Sequence, residues 1–346
     1  MLFHSSMAVV NLFLRNIHHV KSHSLYLRFS VSSLWIMAAG MLLFRSCGSA
    51  PSQSKEATPP PPRTGIALYL PEYWHSSNHA VFAPIMQPLL QKGMDTAFLV
   101  RLMTDSRVQF KESLVKINVT GYRKPTDYSQ HHDAYSVNKG VSFMEQHSRD
   151  LDSAAANYNV HKQANKSILW IETKFGKITG NHSIASVILS VALANRPENI
   201  EKNKNVVRQE LSEKKDTTGL YELEKKIEQR ANKKSAWAID QLMALDSMRS
   251  RYHADVLDIK GSFAGAFGLS QFLPSSYRSW AVDGDGDGKI NLFDEQDAIF
   301  SVANYLSVNG WRKDRESHEK AVFHYNNSKD YVSAVLTLAE KLGMDK

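Results

Sequence analysis

The apolar positions of this chain fall into three regimes. Residues 31–44, VSSLWIMAAGMLLF, form a mostly apolar run of 14, with Lys21 and Arg28 ahead of it. That length suits the core of an export signal and is short for a membrane-spanning helix. From about residue 65 the pattern becomes that of amphipathic helices. HAVFAPIMQPLLQKGMD, residues 79–95, spaces its apolar positions at helical intervals and stops at Gly93. NKGVSFMEQHSRDLDSAAANYNV, residues 138–160, continues in that style. Strand-like alternation is confined to short pieces such as LVKINV, residues 114–119. Between residues 198 and 234 charge takes over: 18 of 37 residues are charged, ten basic and eight acidic. Gly219 divides that segment, which predicts a helical hairpin standing off the surface. Pairs such as Glu222 and Lys226 would support its solvated faces. The whole pattern predicts a mainly α fold with little sheet.

Composition narrows the partners. The net charge is +7 over 346 residues, with a pI near 9.2. Such a balance suits an acidic partner: nucleic acid, anionic lipid or a polyanionic wall polymer. No arginine-rich arm and no zinc-finger spacing is present, so nucleic acid is not favoured. The single cysteine, Cys47, excludes a disulfide within the chain and disfavours a cysteine metal site. Its position directly after the apolar run, in Ser46-Cys47-Gly48, fits a lipoprotein signal. The alternative is an uncleaved N-terminal anchor. Either way residues 1–47 act as a targeting segment that exports the rest of the chain. Residues 48–64 are rich in serine and proline and read as a tether. Residues 65–346 then form the folded domain.

Four stretches carry candidate chemistry. In WIETKFG, residues 170–176, Glu172 ends a largely apolar run; read alone it is either a surface or ion-paired helix acid or an acid desolvated by that run. DGDGDGKINLFD, residues 283–294, has the ligand spacing of an EF-hand loop. Asp283, Asp285 and Asp287 take positions 1, 3 and 5, and Gly288 takes the sharp turn at 6. Lys289 offers its carbonyl at 7, Asn291 stands at 9, and Asp294 replaces the usual glutamate at 12. Ile290, at position 8, can tie the loop to an apolar surface. A single loop of this kind points to a structural Ca2+ clip, since sensors usually pair their loops. KGSFAGAFGLSQFLPSSY, residues 260–277, mixes glycine, aromatic and amide residues, with Ser262 and Gln271 able to bond a sugar or peptide. It lacks the ending of a phosphate loop. Tyr325 and Asn326, in FHYNNSKDY, could line a cleft.

Together, IETKFG, the glycine-rich stretch running into the acidic loop, and YNNS resemble the membrane-bound lytic transglycosylase B family of peptidoglycan-cleaving bacterial enzymes. The resemblance runs from about residue 98 to 342. It implies a lysozyme-like, mainly α (α+β) catalytic core with an embedded EF-hand-type calcium loop. It makes Glu172 a single catalytic acid/base. It places Ser262, Gln271, Tyr305, Tyr325 and Asn326 at substrate positions, with Tyr122 in GYRK as a further aromatic, for which Tyr128 competes. The implied reaction cleaves the MurNAc–GlcNAc bond without water and leaves a 1,6-anhydro product. No catalytic cofactor is implied. The partners are glycan strands and a membrane, and the location is the periplasm, on an outer-membrane lipid anchor at Cys47. The charged segment 198–234 looks like an insertion, with docking of a cell-wall protein as its sharper use. Two rival readings stay open: a hydrolytic muramidase on the same fold, and a catalytically silent wall-binding scaffold.

Overall fold

A helix without charge on any side must be covered on every side. The sequence IASVILSVA forms such a helix, α7 (Ile184–Ala192), which is buried at every position. Ser183 caps it by accepting from the Ser186 amide. The long α9 (Leu220–Met248) and α3 (Glu112–Thr120) pack against α7 and seal it from water. The computed structural model describes residues 77–121, 127–213, 215 and 218–345. Among them are thirteen α-helices and one antiparallel pair of short strands, β1 (His182–Ser183) and β2 (Lys260–Gly261). The apolar run at 31–44, Cys47, the tether and Tyr122 lie outside the described residues. No helix among the described residues is long and apolar enough to cross a membrane.

Two elements differ from the sequence pattern. LVKINV is not a strand; it lies within α3. Its buried residues are Leu114, Val115, Asn118 and Val119, a single helix face. As a strand, Leu114, Lys116 and Asn118 would share a face, and a lysine would enter the core. The charged hairpin forms, as α8 (Pro197–Glu213) and the first half of α9, but it does not stand free. Val207, Ile227 and Ala231 join Val115, Val119 and Ala194 in a second small core. The buried Arg230 guanidinium donates to the carbonyls of Val119 (2.9 Å) and Asn118 (3.3 Å), fixing the hairpin to the end of α3. Other charges pair between the two helices, as in Lys204–Glu228 and Arg208–Glu224.

The site-bearing half rests on α6 (Lys162–Thr173) and α13 (Lys329–Lys341). These run antiparallel. Glu172 near the end of α6 meets Tyr331 at the start of α13, while Gln163 at the start of α6 bonds to the Gly343 carbonyl past the end of α13. α4 (Ala134–Gln146) crosses α6 closely at Gly140. A Cβ there would stand 1.9 Å from the Lys166 Nζ. Lys166 has no exposed surface, and its ammonium nitrogen has no hydrogen-bond partner. Burial pushes its pKa down to about 7.

An unpaired buried amine weakens the fold. Lys166→Met is expected to raise stability by about 1–4 kcal/mol near neutral pH. The folded chain protonates this lysine only below about pH 7, whereas the unfolded chain does so below 10.5. The gain is therefore largest at and below about pH 7 and shrinks as pH rises toward 10.5. Melting curves of both proteins across that range measure it; a variant less stable at every pH contradicts the assignment.

Candidate active site

Glu172 sits in the last turn of α6, whose residues Ala164 to Thr173 are all buried. The helix then stops abruptly. Lys174 (φ 54°), Phe175 (φ 56°) and Gly176 (φ 80°) follow one another in the left-handed region. For the two residues with a Cβ this costs about 1–2 kcal/mol each. Local contacts hold the turn in place. The Thr173 hydroxyl accepts from the Gly176 amide (3.0 Å) and donates to the Leu269 carbonyl (3.0 Å). Phe175 stacks on Phe143, with ring centroids 4.0 Å apart and planes 7° apart. Glu172 is 4% exposed, and the Tyr331 hydroxyl donates to its Oε1 at 2.7 Å. Burial raises its pKa to about 7, against the smaller opposing pull of the Tyr331 hydrogen bond.

Aromatic rings surround the carboxyl. The rings of Tyr325 and Tyr331 lie nearly parallel at 6.4 Å, and Tyr128 meets Tyr331 edge-on at 5.5 Å. Tyr305 packs edge-on to Tyr325 at 4.7 Å, and Phe272 lies 5.9 Å from the same ring. The Tyr325 hydroxyl donates to the Ser270 carbonyl, which binds the end of α12 (Arg315–Tyr325) to the glycine-rich loop. Tyr305, on α11 (Glu295–Val308), places its hydroxyl on the Nδ1 and carbonyl of His324. Burial, helped by the Glu172 charge, raises the pKa of both Tyr325 and Tyr331, so both are neutral hydroxyls.

The sequence-predicted residues fall into two groups. Glu172, Tyr305 and Tyr325 belong to one buried cluster linked through Tyr331, and Asn326 follows Tyr325 directly in the chain. Asn326 is 2% exposed, and neither its amide nitrogen nor its amide oxygen has a partner, as expected of a group kept for a ligand or water. Ser262 and Gln271 belong to the glycine-rich loop packed beside this cluster and hold its shape. The Ser262 hydroxyl accepts from the Ala266 amide, and Gln271 Nε2 donates to the carbonyls of Gly268 and Thr179. The loop needs glycine at 268: φ is +74° and a Cβ would lie 2.5 Å from Leu292. Tyr331 is a functional candidate that the pattern did not signal, whereas Tyr128, the alternative to Tyr122, does join the cluster. Tyr331 lies on the apolar face of an amphipathic helix, where a tyrosine reads as core.

The acidic loop joins α10 (Pro274–Trp280) to α11. One carboxylate oxygen each from Asp283, Asp285 and Asp287 lie within 4.8 Å of one another, and so do oxygens of Asp285, Asp294 and Asp297. Asp294 caps α11, accepting from the Gln296 and Asp297 amides. Asp297, missed by the EF-hand spacing, is 2% exposed and accepts from the amides of Gly284 (2.7 Å) and Asn291 (2.5 Å). Ile290 is buried and bonds through its amide to the Arg251 carbonyl, tying the loop to the core.

Residues 77–321 match the transglycosylase SLT domain family. The chain is 35% identical over 178 residues to the membrane-bound lytic murein transglycosylase B of Escherichia coli. That match spans 51% of this chain and 39% of the relative, well under two thirds of its length. Among solved structures, the fold is similar to SltB3 of Pseudomonas aeruginosa, determined in complex with NAG-NAM-pentapeptide. There the identity is 20% and the TM-score 0.57, covering 77% of this chain and 80% of the other. A lytic transglycosylase of Escherichia coli in complex with calcium is similar at 21% identity and TM-score 0.56, covering 78% and 94%.

The buried carboxyl makes a direct prediction about titration. Its folded pKa, about 7, stands above the ordinary glutamate value of 4.5, so Glu172 favours folding below pH 4.5 and loses that contribution as pH rises through about 7. Glu172→Gln should therefore gain stability over the wild type at about pH 8 and not at about pH 4. Tyr331→Phe, which removes the charge-favouring hydrogen bond, should move the Glu172 pKa further up in a carboxyl-resolved NMR titration. A Glu172 pKa near 4.5 in the wild type contradicts this site.

Proposed function

The chain belongs to the transglycosylase SLT domain family, and from that membership we propose that it is a peptidoglycan lytic transglycosylase with Glu172 as its single acid/base. The observation that carries this reading is a buried carboxyl whose pKa burial raises to about 7, so that it can both give and take a proton near neutral pH. The two causes of its shift are burial and Tyr331. Glycosidases that use water flank the bond with two carboxylates, about 5–9.5 Å apart. The hydrolytic muramidase needs such a second carboxylate facing Glu172. The silent scaffold leaves the strained turn, the buried acid and the unpaired Asn326 without a purpose.

In this reading the Tyr331 hydrogen bond orients the carboxyl, so that Oε2 carries the proton. Glu172 gives that proton to the oxygen between N-acetylmuramic acid and N-acetylglucosamine. The C1–O bond breaks, and positive charge develops at the muramic C1, assisted by the substrate's own acetamido group. The tyrosine faces and the Asn326 amide orient the sugar. Glu172, now a carboxylate, takes the proton of the muramic C6 hydroxyl, and that oxygen bonds to C1. The acid is regenerated, and a 1,6-anhydro end forms with no water consumed. Ser262 and Gln271 maintain the loop beside this site, and Tyr122 or Tyr128 is a further substrate aromatic.

The wider assignment follows the same reading. Residues 1–47 export the chain and anchor it in the outer membrane through Cys47, residues 48–64 are the tether, and 65–346 work in the periplasm on glycan strands. The 198–234 hairpin belongs first to the fold through its second core. Its charged outer faces are the surface for a wall-protein partner.

The acidic loop suits a hard cation. Its donors are all oxygen: the carboxylates of Asp283, Asp285, Asp287, Asp294 and Asp297, the Asn291 amide and the Lys289 carbonyl. Ca2+ held there would neutralise the crowded carboxylates and lock α10 to α11.

Soluble muropeptides released from purified sacculi test the reaction: Glu172→Gln should lower the rate by about a hundred- to ten-thousand-fold. Release by the variant at the wild-type rate would remove Glu172 from its role. Calcium at roughly 100-fold above its Kd should raise Tm by about 5–10 °C, with the gain lost in Asp285→Ala. A Tm indifferent to calcium contradicts the clip.

A further inference from the structure

Two residues beyond Glu172 stands a cation without a counter-ion. Among the described residues no carboxylate forms an ion pair with Lys174. Asp133 is near enough for its charge to be felt, but it is exposed and already caps α4 by accepting from the Ser136 amide (2.7 Å). The Lys174 ammonium is half-buried and donates to the Nδ1 of His131 at 2.8 Å. That imidazole is neutral, its pKa held down to about 4 by burial and by Lys174 itself. One of three ammonium donors is thus used, on an uncharged partner.

Beneath the ammonium lies Trp170, its ring centroid 4.3 Å from Nζ. Trp170 is 2% exposed, and its indole N–H has no acceptor. A buried donor left unpaired costs about 1–3 kcal/mol. Tyr135, 58% exposed, tilts against Trp170 at 6.0 Å, and the Lys139 ammonium sits 5.6 Å above the Tyr135 ring. The patch therefore combines a desolvated cation, an unsatisfied donor, a second cation and an exposed ring.

Its place in the fold is also specific. Lys174 reaches Trp170 and His131 from a left-handed backbone that a glycine would adopt more cheaply. His131 lies 5.9 Å from the Tyr128 ring, Tyr128 packs on Tyr331, and Tyr331 holds Glu172. The patch borders the reacting centre.

We propose that Lys174 and the Trp170 indole N–H bind a carboxylate on the arm of the substrate's muramic residue, with Lys139 and Tyr135 at the rim. The proposal rests on the transglycosylase reading. A carboxylate satisfies the orphan N–H and supplies the missing counter-charge in one step. Two carboxylates are available on such a strand: the lactyl group itself, once its peptide is removed, and the carboxylates of an attached peptide.

Calorimetry in the Glu172→Gln background, with the full chain, separates the cases. Three glycan ligands are used: strands with peptides, strands stripped to the free lactyl carboxylate, and stripped strands capped as methylamides. Lys174→Met should weaken binding of a carboxylate-bearing ligand by about tenfold and leave the capped strands unchanged, while Lys174→Arg retains most of the affinity. Loss on the peptide strands alone assigns the peptide, and loss on the stripped strands alone assigns the lactyl group. Loss on both assigns a carboxylate of either source. Lys174→Gln replaces the methionine variant if that one folds poorly. Equal loss on all three ligands, or none on any, overturns the site. A Glu172→Gln parent that binds no strand at all removes the transglycosylase reading, and the site with it.

Discussion

The hydrogen bond from the Tyr331 hydroxyl to the Glu172 carboxyl is the constraint on which the rest of the site depends. Both groups are buried, and each would be costly to bury alone. Their pairing sets the register of α6 against α13, since one stands at the end of its helix and the other at the start. With that register fixed, the chain after Glu172 must turn at once. The glycine-rich loop is then held against the turn through Thr173 and Leu269, and Tyr325 is held to the same loop through Ser270. A single contact thus positions three segments that are far apart in sequence.

The site carries unfavourable terms that the remainder of the fold must offset. Three side-chain-bearing residues, Lys174, Phe175 and Gln271, sit in the left-handed region, a carboxyl is desolvated, and a buried asparagine amide has no partner. In the proposed reaction each of these has a use. Desolvation holds the acid's proton near neutral pH, and the strained turn places Lys174 and Phe175 against rings that glycine could not reach. Stabilisation comes from elsewhere, chiefly from the fully buried α7 under α9 and from the second core under the charged hairpin. This division resembles other enzymes, in which a well-packed scaffold tolerates a locally strained site.

Much of this was legible in the sequence where a local pattern decides the outcome. Helical spacing, the acid at the end of an apolar run, and the three aspartates with a glycine at the sharp turn are local patterns. What failed depends on distant partners. LVKINV alternates over a few residues, yet its burial is decided by α7 and α9, which select the helical face. The hairpin 198–234 looked solvated because its apolar residues are sparse; they suffice because α3 presents Val115 and Val119 to them. Asp297 falls outside the twelve-residue spacing and reads as an ordinary first-turn acid of α11. Tyr331 reads as core, and it is core; its role comes from what lies opposite, which no helix can reveal alone.

The central claim is that the bond is broken without water, and an isotope decides it. Peptidoglycan would be digested in water enriched in oxygen-18, and the muramic ends of the products analysed by mass spectrometry. The account predicts 1,6-anhydro ends, lighter by one water than reducing ends and free of the label. Labelled reducing ends would show that water attacks C1, and would contradict the single acid/base at Glu172 by requiring a second group to activate it.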